Sequence, residues 1–194
     1  MKKAIYSVIA GLTLFSISDP TLLTALEKAA VSEVYFSPED GVADRLISRI
    51  NEERESIRVA VYCLMHTGIA KALKSAFARG VDIEVIVDPY SIKSRSPIMR
   101  MVEKGIPVYV WNPKQIVNSN KNKKKPLMHD KFCVFGDHTV WTGSFNFTRE
   151  GTFANRENVV VMEGADIAKS YLCEFTAIKE AGCSTYQTFM SERQ

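Results

Sequence analysis

The stretch "LMHDKFCVFGDHTVWTGSFNFT", Leu127–Thr148, holds two of the chain's three histidines and sets a lysine two places after the first. Lys131–Phe135 and Thr139–Trp141 read as two strands around a Gly136-Asp137 turn, which is a hairpin signal. His129 and Lys131 stand two apart, so an extended backbone puts both side chains on one face. Directly upstream, Lys121, Lys123, Lys124 and Lys125 fall within five positions with no acid among them.

Outward from this hairpin the pattern alternates. "VYFS" (Val34–Ser37) reads as a short strand. Val42, Leu46, Ile47 and Ile50 recur at helical spacing, which predicts a helix over Val42–Glu53. "IRVAVYCL" (Ile57–Leu64) is a nearly continuous apolar run, as a strand covered on both faces requires. Thr67 is placed to cap a helix through Arg79, and Gly80 to stop it. "VDIEVIVD" (Val81–Asp88) is the next strand, Pro97–Lys104 a helix, and "IPVYVW" (Ile106–Trp111) another strand. Asn112–Pro126 is a polar loop, Asn158–Met162 a strand and Ala165–Ala181 a closing helix.

This order predicts an α/β domain: a mixed, mainly parallel sheet sandwiched between helices, spanning residues 34–194. A chain of 194 residues with 46% hydrophobic content is long enough for one proper core. The net charge of +3 is too small to announce a nucleic-acid binder; the local lysine run is the informative charge.

A neutral imidazole beside a fixed ammonium suits attack on a phosphate: lysine holds nonbridging oxygens and histidine offers a nucleophilic nitrogen. Gly143 permits close backbone approach, while Ser144 and Asn146 supply hydrogen-bond donors for a developing oxyanion. Glu157 is a candidate to accept from the other ring nitrogen of His129, fixing its tautomer. His138 reads as a solvated turn residue. His66 reads as a cleft or loop residue. Tyr109 and Trp111 read as core, with base stacking as the alternative.

With the "HxK" at His129 and Lys131, "GSFNFT" (Gly143–Thr148) and "NRENVVV" (Asn155–Val161), the chain resembles the phospholipase D superfamily. It is most similar to members with a single HxK motif, among them small bacterial endonucleases and the mitochondrial cardiolipin hydrolase. In that family two motifs share one site, so the resemblance implies a homodimer. It also implies a phosphohistidine on His129 and a leaving group protonated by the second histidine, with no metal and no cofactor. Lys131 and Asn146 would bind phosphate oxygens, Ser144 would assist and Glu157 would orient the imidazole. The family motif ends with an aspartate where Gly136 stands here; Asp137, one residue later, is the candidate replacement for that structural acid.

The substrate this implies is nucleic acid, cleaved by a nonspecific endonuclease, or an anionic or choline phospholipid. Lys123, Lys124, Lys125 and Gly143 are the candidate substrate contacts, since phosphate-binding lysines act without sequence preference and attract lipid headgroups equally. Gly136 motivates a third reading, a catalytically silent binding dimer.

At the N-terminus, Lys2 and Lys3 precede the uncharged stretch Ala4–Ile17. Residues 1–18 therefore read as a secretory signal, giving a periplasmic or secreted protein, or as an uncleaved membrane anchor, with 19–33 as a connecting segment. Of the four cysteines, Cys63 and Cys133 lie in strand-like runs and read as buried thiols. Cys173 and Cys183 are the better candidates for a bridge.

Overall fold

The computed structural model describes residues 30–94, 96–113 and 126–193. The signal or anchor expected over residues 1–18, most of the connecting segment and the substrate lysines Lys123, Lys124 and Lys125 lie outside the described residues.

Eight strands form one sheet in the order β1-β7-β6-β5-β2-β3-β4-β8. The strands are β1 (Ala30–Ser37), β2 (Ser56–Val61), β3 (Asp82–Val87), β4 (Val108–Trp111), β5 (Lys131–Phe135), β6 (Thr139–Gly143), β7 (Glu157–Glu163) and β8 (Cys183–Thr185). The helices are α1 (Val42–Glu52), α2 (Thr67–Ala78), α3 (Ile98–Val102), α4 (Arg149–Phe153), α5 (Ala165–Gly182) and α6 (Tyr186–Ser191).

The α/β class is as expected, but the balance of strand directions differs. Only β2/β3 and β3/β4 pair in parallel. The pairs β1/β7, β2/β5, β4/β8, β5/β6 and β6/β7 are antiparallel. Part of the reason is local: the three-residue turn after Phe135 leaves β5 and β6 no choice but to run back on each other.

Alternation along the strands divides the core between the two faces. Ile57, Val59 and Val61 of β2 and Ile83, Val85 and Val87 of β3 pack in the cluster that includes α1 and α2. Ala60, Ile86, Phe132 and Val134 face the other way, in the cluster beneath Phe175 and Ile178 of α5. α1 buries Val42, Ala43, Leu46 and Ile50, each fully buried aliphatic of Leu or Ile size stabilising the fold by about 1.5–3 kcal/mol.

Three elements went unforeseen. α4, "REGTF", carries an internal glycine and spans little more than one turn. β8 is three residues long and partly polar, and pairs with β4 through Tyr109, Val110 and Trp111. α6 follows it at once. The strand expected at Val34 also begins earlier, at Ala30. The helix cap expected at Thr67 belongs instead to His66, whose Nδ1 accepts the N–H of Ile69 at 3.2 Å.

The cysteine expectation divides. Cys63 and Cys133 are buried free thiols. The bridge between Cys173 and Cys183 is absent: both are free. Cys173 sits inside α5 and Cys183 just past its end, so about 13–15 Å of helix separates them at 1.5 Å per residue. A disulfide tolerates less than about 7 Å between Cα atoms.

Candidate active site

Lys131 opens β5, Gly143 closes β6 and Glu157 opens β7. Because the three strands are successive antiparallel neighbours, those ends meet at one edge of the sheet: Phe132 pairs with Thr142, and Gly143 with Val159. Val61, the last residue of β2, pairs with Lys131, so this edge coincides with the carboxyl ends of the parallel strands, where open α/β sheets hold their ligands.

Gly143 is required by this meeting. A Cβ there would stand 2.0 Å from the carbonyl oxygen of Asn158, so any side chain would force β6 and β7 apart.

His129 and Lys131 converge as their spacing demands. Lys131 Nζ lies 2.9 Å from His129 Nδ1 and also donates to the His129 carbonyl oxygen. His129 is exposed, while Lys131 is only 8% exposed. That burial pushes the lysine's pKa below its usual value; Asp130 and Glu157 oppose the shift by their negative charge. An ammonium donating to Nδ1 leaves the proton of a neutral ring on Nε2.

Glu157 is committed elsewhere. Its Oε2 accepts from Ser144 Oγ at 2.5 Å and its Oε1 from Asn155 Nδ2 at 3.0 Å. The hydrogen bond expected between Glu157 and His129 is therefore not made in this arrangement: the lysine occupies Nδ1, and both carboxylate oxygens have other donors. Glu157 acts on Lys131 through its charge. Ser144 Oγ also accepts the N–H of Asn158 at 3.1 Å, tying the loop to β7.

Asn146 is held by its backbone. Phe147 N–H donates to the Cys63 carbonyl at 3.0 Å, and Met65 and His66 N–H both donate to the Phe147 carbonyl at 2.8 Å. Thr148 caps α4 by accepting from Gly151 N–H at 3.0 Å, and its own N–H donates to the Asn146 carbonyl at 2.8 Å. The side-chain Oδ1 of Asn146 is enclosed and accepts nothing from the described residues. A buried unpaired acceptor costs about 1–3 kcal/mol.

Asp137 does not join this group. It is exposed, in the turn beyond the far end of β5, and the strand alone puts about 13 Å between that end and Lys131 at roughly 3.3 Å per residue. Gly136 has φ of 56° and its N–H donates to the Ser56 carbonyl at 2.9 Å. The turn wants a left-handed residue there, which favours glycine over aspartate. His138 is exposed, as expected of a turn.

Sequence reasoning missed Tyr62, Asp88 and Tyr90. The Tyr62 ring packs on His129 with centroids 4.7 Å apart. Buried Asp88 accepts from Met128 N–H at 3.1 Å and Tyr90 N–H at 2.9 Å, fixing the segment that delivers His129. The available signal was an aspartate at the carboxyl end of a buried strand, followed by Pro-Tyr. Trp111 is half-buried and donates from Nε1 to the Pro126 carbonyl at 2.9 Å, so it braces the entry to the site.

The family model described as "Cardiolipin synthase, PLD-like domain" matches residues 46–179. The chain belongs to the phospholipase D superfamily and is a hydrolase of that superfamily. A protein named phospholipase D from Rickettsia bellii is 31% identical over 150 residues, covering 77% of this chain and 69% of its own. The mitochondrial cardiolipin hydrolase of Xenopus tropicalis is 28% identical over 152 residues, covering 77% and 67%. The crystal structure of Nuc, a phospholipase D family member from Salmonella typhimurium, superposes with a TM-score of 0.69 at 30% identity. It covers 82% of this chain and 99% of that one.

Proposed function

We propose that the chain is a metal-independent endonuclease that cleaves nucleic-acid phosphodiesters through a phosphohistidine at a homodimer interface. The observation that carries this is the convergence of His129 and Lys131 with Ser144, Asn146 and Glu157 at one sheet edge. An incoming phosphate draws Lys131 Nζ from Nδ1 onto its nonbridging oxygens. The ring proton then shifts to Nδ1, and the freed Nε2 attacks phosphorus. The P–O bond to the leaving group breaks as that oxygen takes a proton from the partner's His129. Water, giving its proton back to the partner's His129, then displaces His129 and releases the phosphate. Asn146 and Lys131 hold the charge that accumulates on the oxygens.

Support for the dimer comes from the surface. Phe36, Leu127 and Phe153 are 54%, 57% and 64% exposed. Leu127 is two residues from His129, and Phe36 lines a small recess with Glu157 and Asn158. Large apolar side chains left in water around a reacting centre suit a covering surface. Support for a nucleic-acid substrate is the nearly full-length similarity to Nuc and the Lys123–Lys125 run beside Pro126. We propose export, directed by residues 1–18, on the sequence pattern alone.

A second reading, hydrolysis of phospholipid headgroups, is favoured by the names of the rickettsial and mitochondrial relatives. The inactive-dimer reading loses its motive, because Gly136 lies at the far end of β5. Purified protein is incubated with supercoiled plasmid in chelator, and in parallel with choline- and glycerol-headgroup vesicles. Nicking that survives chelator and vanishes in His129→Ala supports the nuclease; headgroup release without nicking replaces it with the lipase.

A further inference from the structure

Tyr62 follows β2 and Tyr90 lies in the turn after β3. Their rings stack with centroids 5.1 Å apart and 13° between planes. On one side of Tyr62 is the His129 ring; on Tyr90 sits Lys93 Nζ, 3.6 Å from the ring centroid. The catalytic imidazole is thus the first of three rings filed away from the reacting atoms. Tyr90 is 49% exposed, so the far end of this file stands in water rather than in the core.

The Tyr62–Tyr90 stack borders a groove of about 560 Å³ that also touches Cys63, Asn146, Arg149 and Glu150. Lys93 and Arg149 bring two cations to it against the one acid. Neither forms an ion pair with a described residue.

We propose that Tyr90, backed by Tyr62, forms a nucleobase subsite: Lys93 leaves the outer face of Tyr90 for a phosphate of the bound strand, where Arg149 joins it, and a base near the scissile phosphate stacks on the face that Lys93 vacates. This rests on the nuclease reading and deepens it. Every base offers a π face, so stacking adds affinity without sequence preference, and the flanking cations fix the backbone beside it. A glycerol headgroup has no face to stack.

The test compares a fluorescent single-stranded oligonucleotide with the same strand carrying a run of abasic residues. The native enzyme has a KM about tenfold lower on the base-bearing strand. Tyr90→Leu raises that KM to the abasic value, while Tyr90→Phe keeps the preference because the ring remains. Lys93→Gln lowers the slope of log KM against log salt by about one, as loss of one phosphate contact should. Equal KM for the two strands in the native enzyme, or a preference that survives Tyr90→Leu, overturns the subsite while leaving the nuclease intact. Failure to cut either strand, with headgroup release from vesicles, overturns the nuclease reading and the subsite with it.

Discussion

The carboxylate of Asp88 accepts the backbone N–H of Met128 at 3.1 Å across forty residues of chain. The same carboxylate accepts from Tyr90 N–H at 2.9 Å. One buried group thereby sets both the segment that carries His129 and the turn that carries Tyr90.

An amide cannot serve two donors with both of its atoms, so Asp88→Asn leaves one N–H facing an NH₂. The expected cost is about 1–3 kcal/mol of stability and at least tenfold in kcat, larger than its effect on KM. Thermal melting and initial rates of plasmid nicking check this; a normal kcat would remove Asp88 from the positioning of His129.

Lys131 carries an ammonium that burial disfavours, so its pKa in the fold lies below the ordinary 10.5. The unfolded chain therefore binds the proton more tightly, and between the two pKa values stability rises with pH. At pH 7 the buried charge costs stability. Lys131→Met, close in length and uncharged, is expected to melt higher at pH 7 with no activity left, and this advantage narrows as pH climbs towards 10.5. Melting curves at pH 7 and pH 10 would show it; a lower melting point at pH 7 would contradict the burial argument.

Restoring an aspartate at position 136 is expected to bring no gain. Gly136→Asp places a side chain at φ of 56°, costing about 1–2 kcal/mol, and the new carboxylate stands a whole strand from Lys131. Rates should stay within twofold while the melting point falls. A large rise in rate would show that the missing family acid matters here after all.

Thiol reactivity separates the four cysteines. Cys173 is exposed, Cys63 and Cys133 are buried, and burial pushes the Cys183 thiol up to about 12. Titration of the folded protein with a disulfide reagent at pH 8 should show one fast thiol, and four after denaturation. Two missing thiols in the denatured protein would indicate a bridge and correct the arrangement of α5.

How much of this was legible in the sequence follows from what each residue depends on. His129 and Lys131 were readable because a spacing of two on an extended segment fixes their relation locally. Ile57–Val61 and Ile83–Val87 were readable because burial on both faces leaves an unbroken apolar run. β8 was not, since three half-polar residues become a strand only through β4. Strand direction was overestimated as parallel, because the pairings of β1, β7 and β8 are long-range choices that composition does not reveal. Glu157 was expected to bond His129, but its partners are Asn155, two residues away, and Ser144, which the folded β6–β7 pairing brings to it. Asp88 escaped notice because its partners are backbone N–H groups, which no side-chain motif reveals.

The hairpin turn after Phe135 also acts as a gauge for the chemistry. Side chains alternate along β5 and β6, so lengthening the Gly136–His138 turn by one residue and slipping the ladder by one would carry Lys131 to the opposite side relative to Gly143. Insertions there should therefore silence the enzyme in single steps and spare it in double ones, a parity rule dictated from the remote end of the strand.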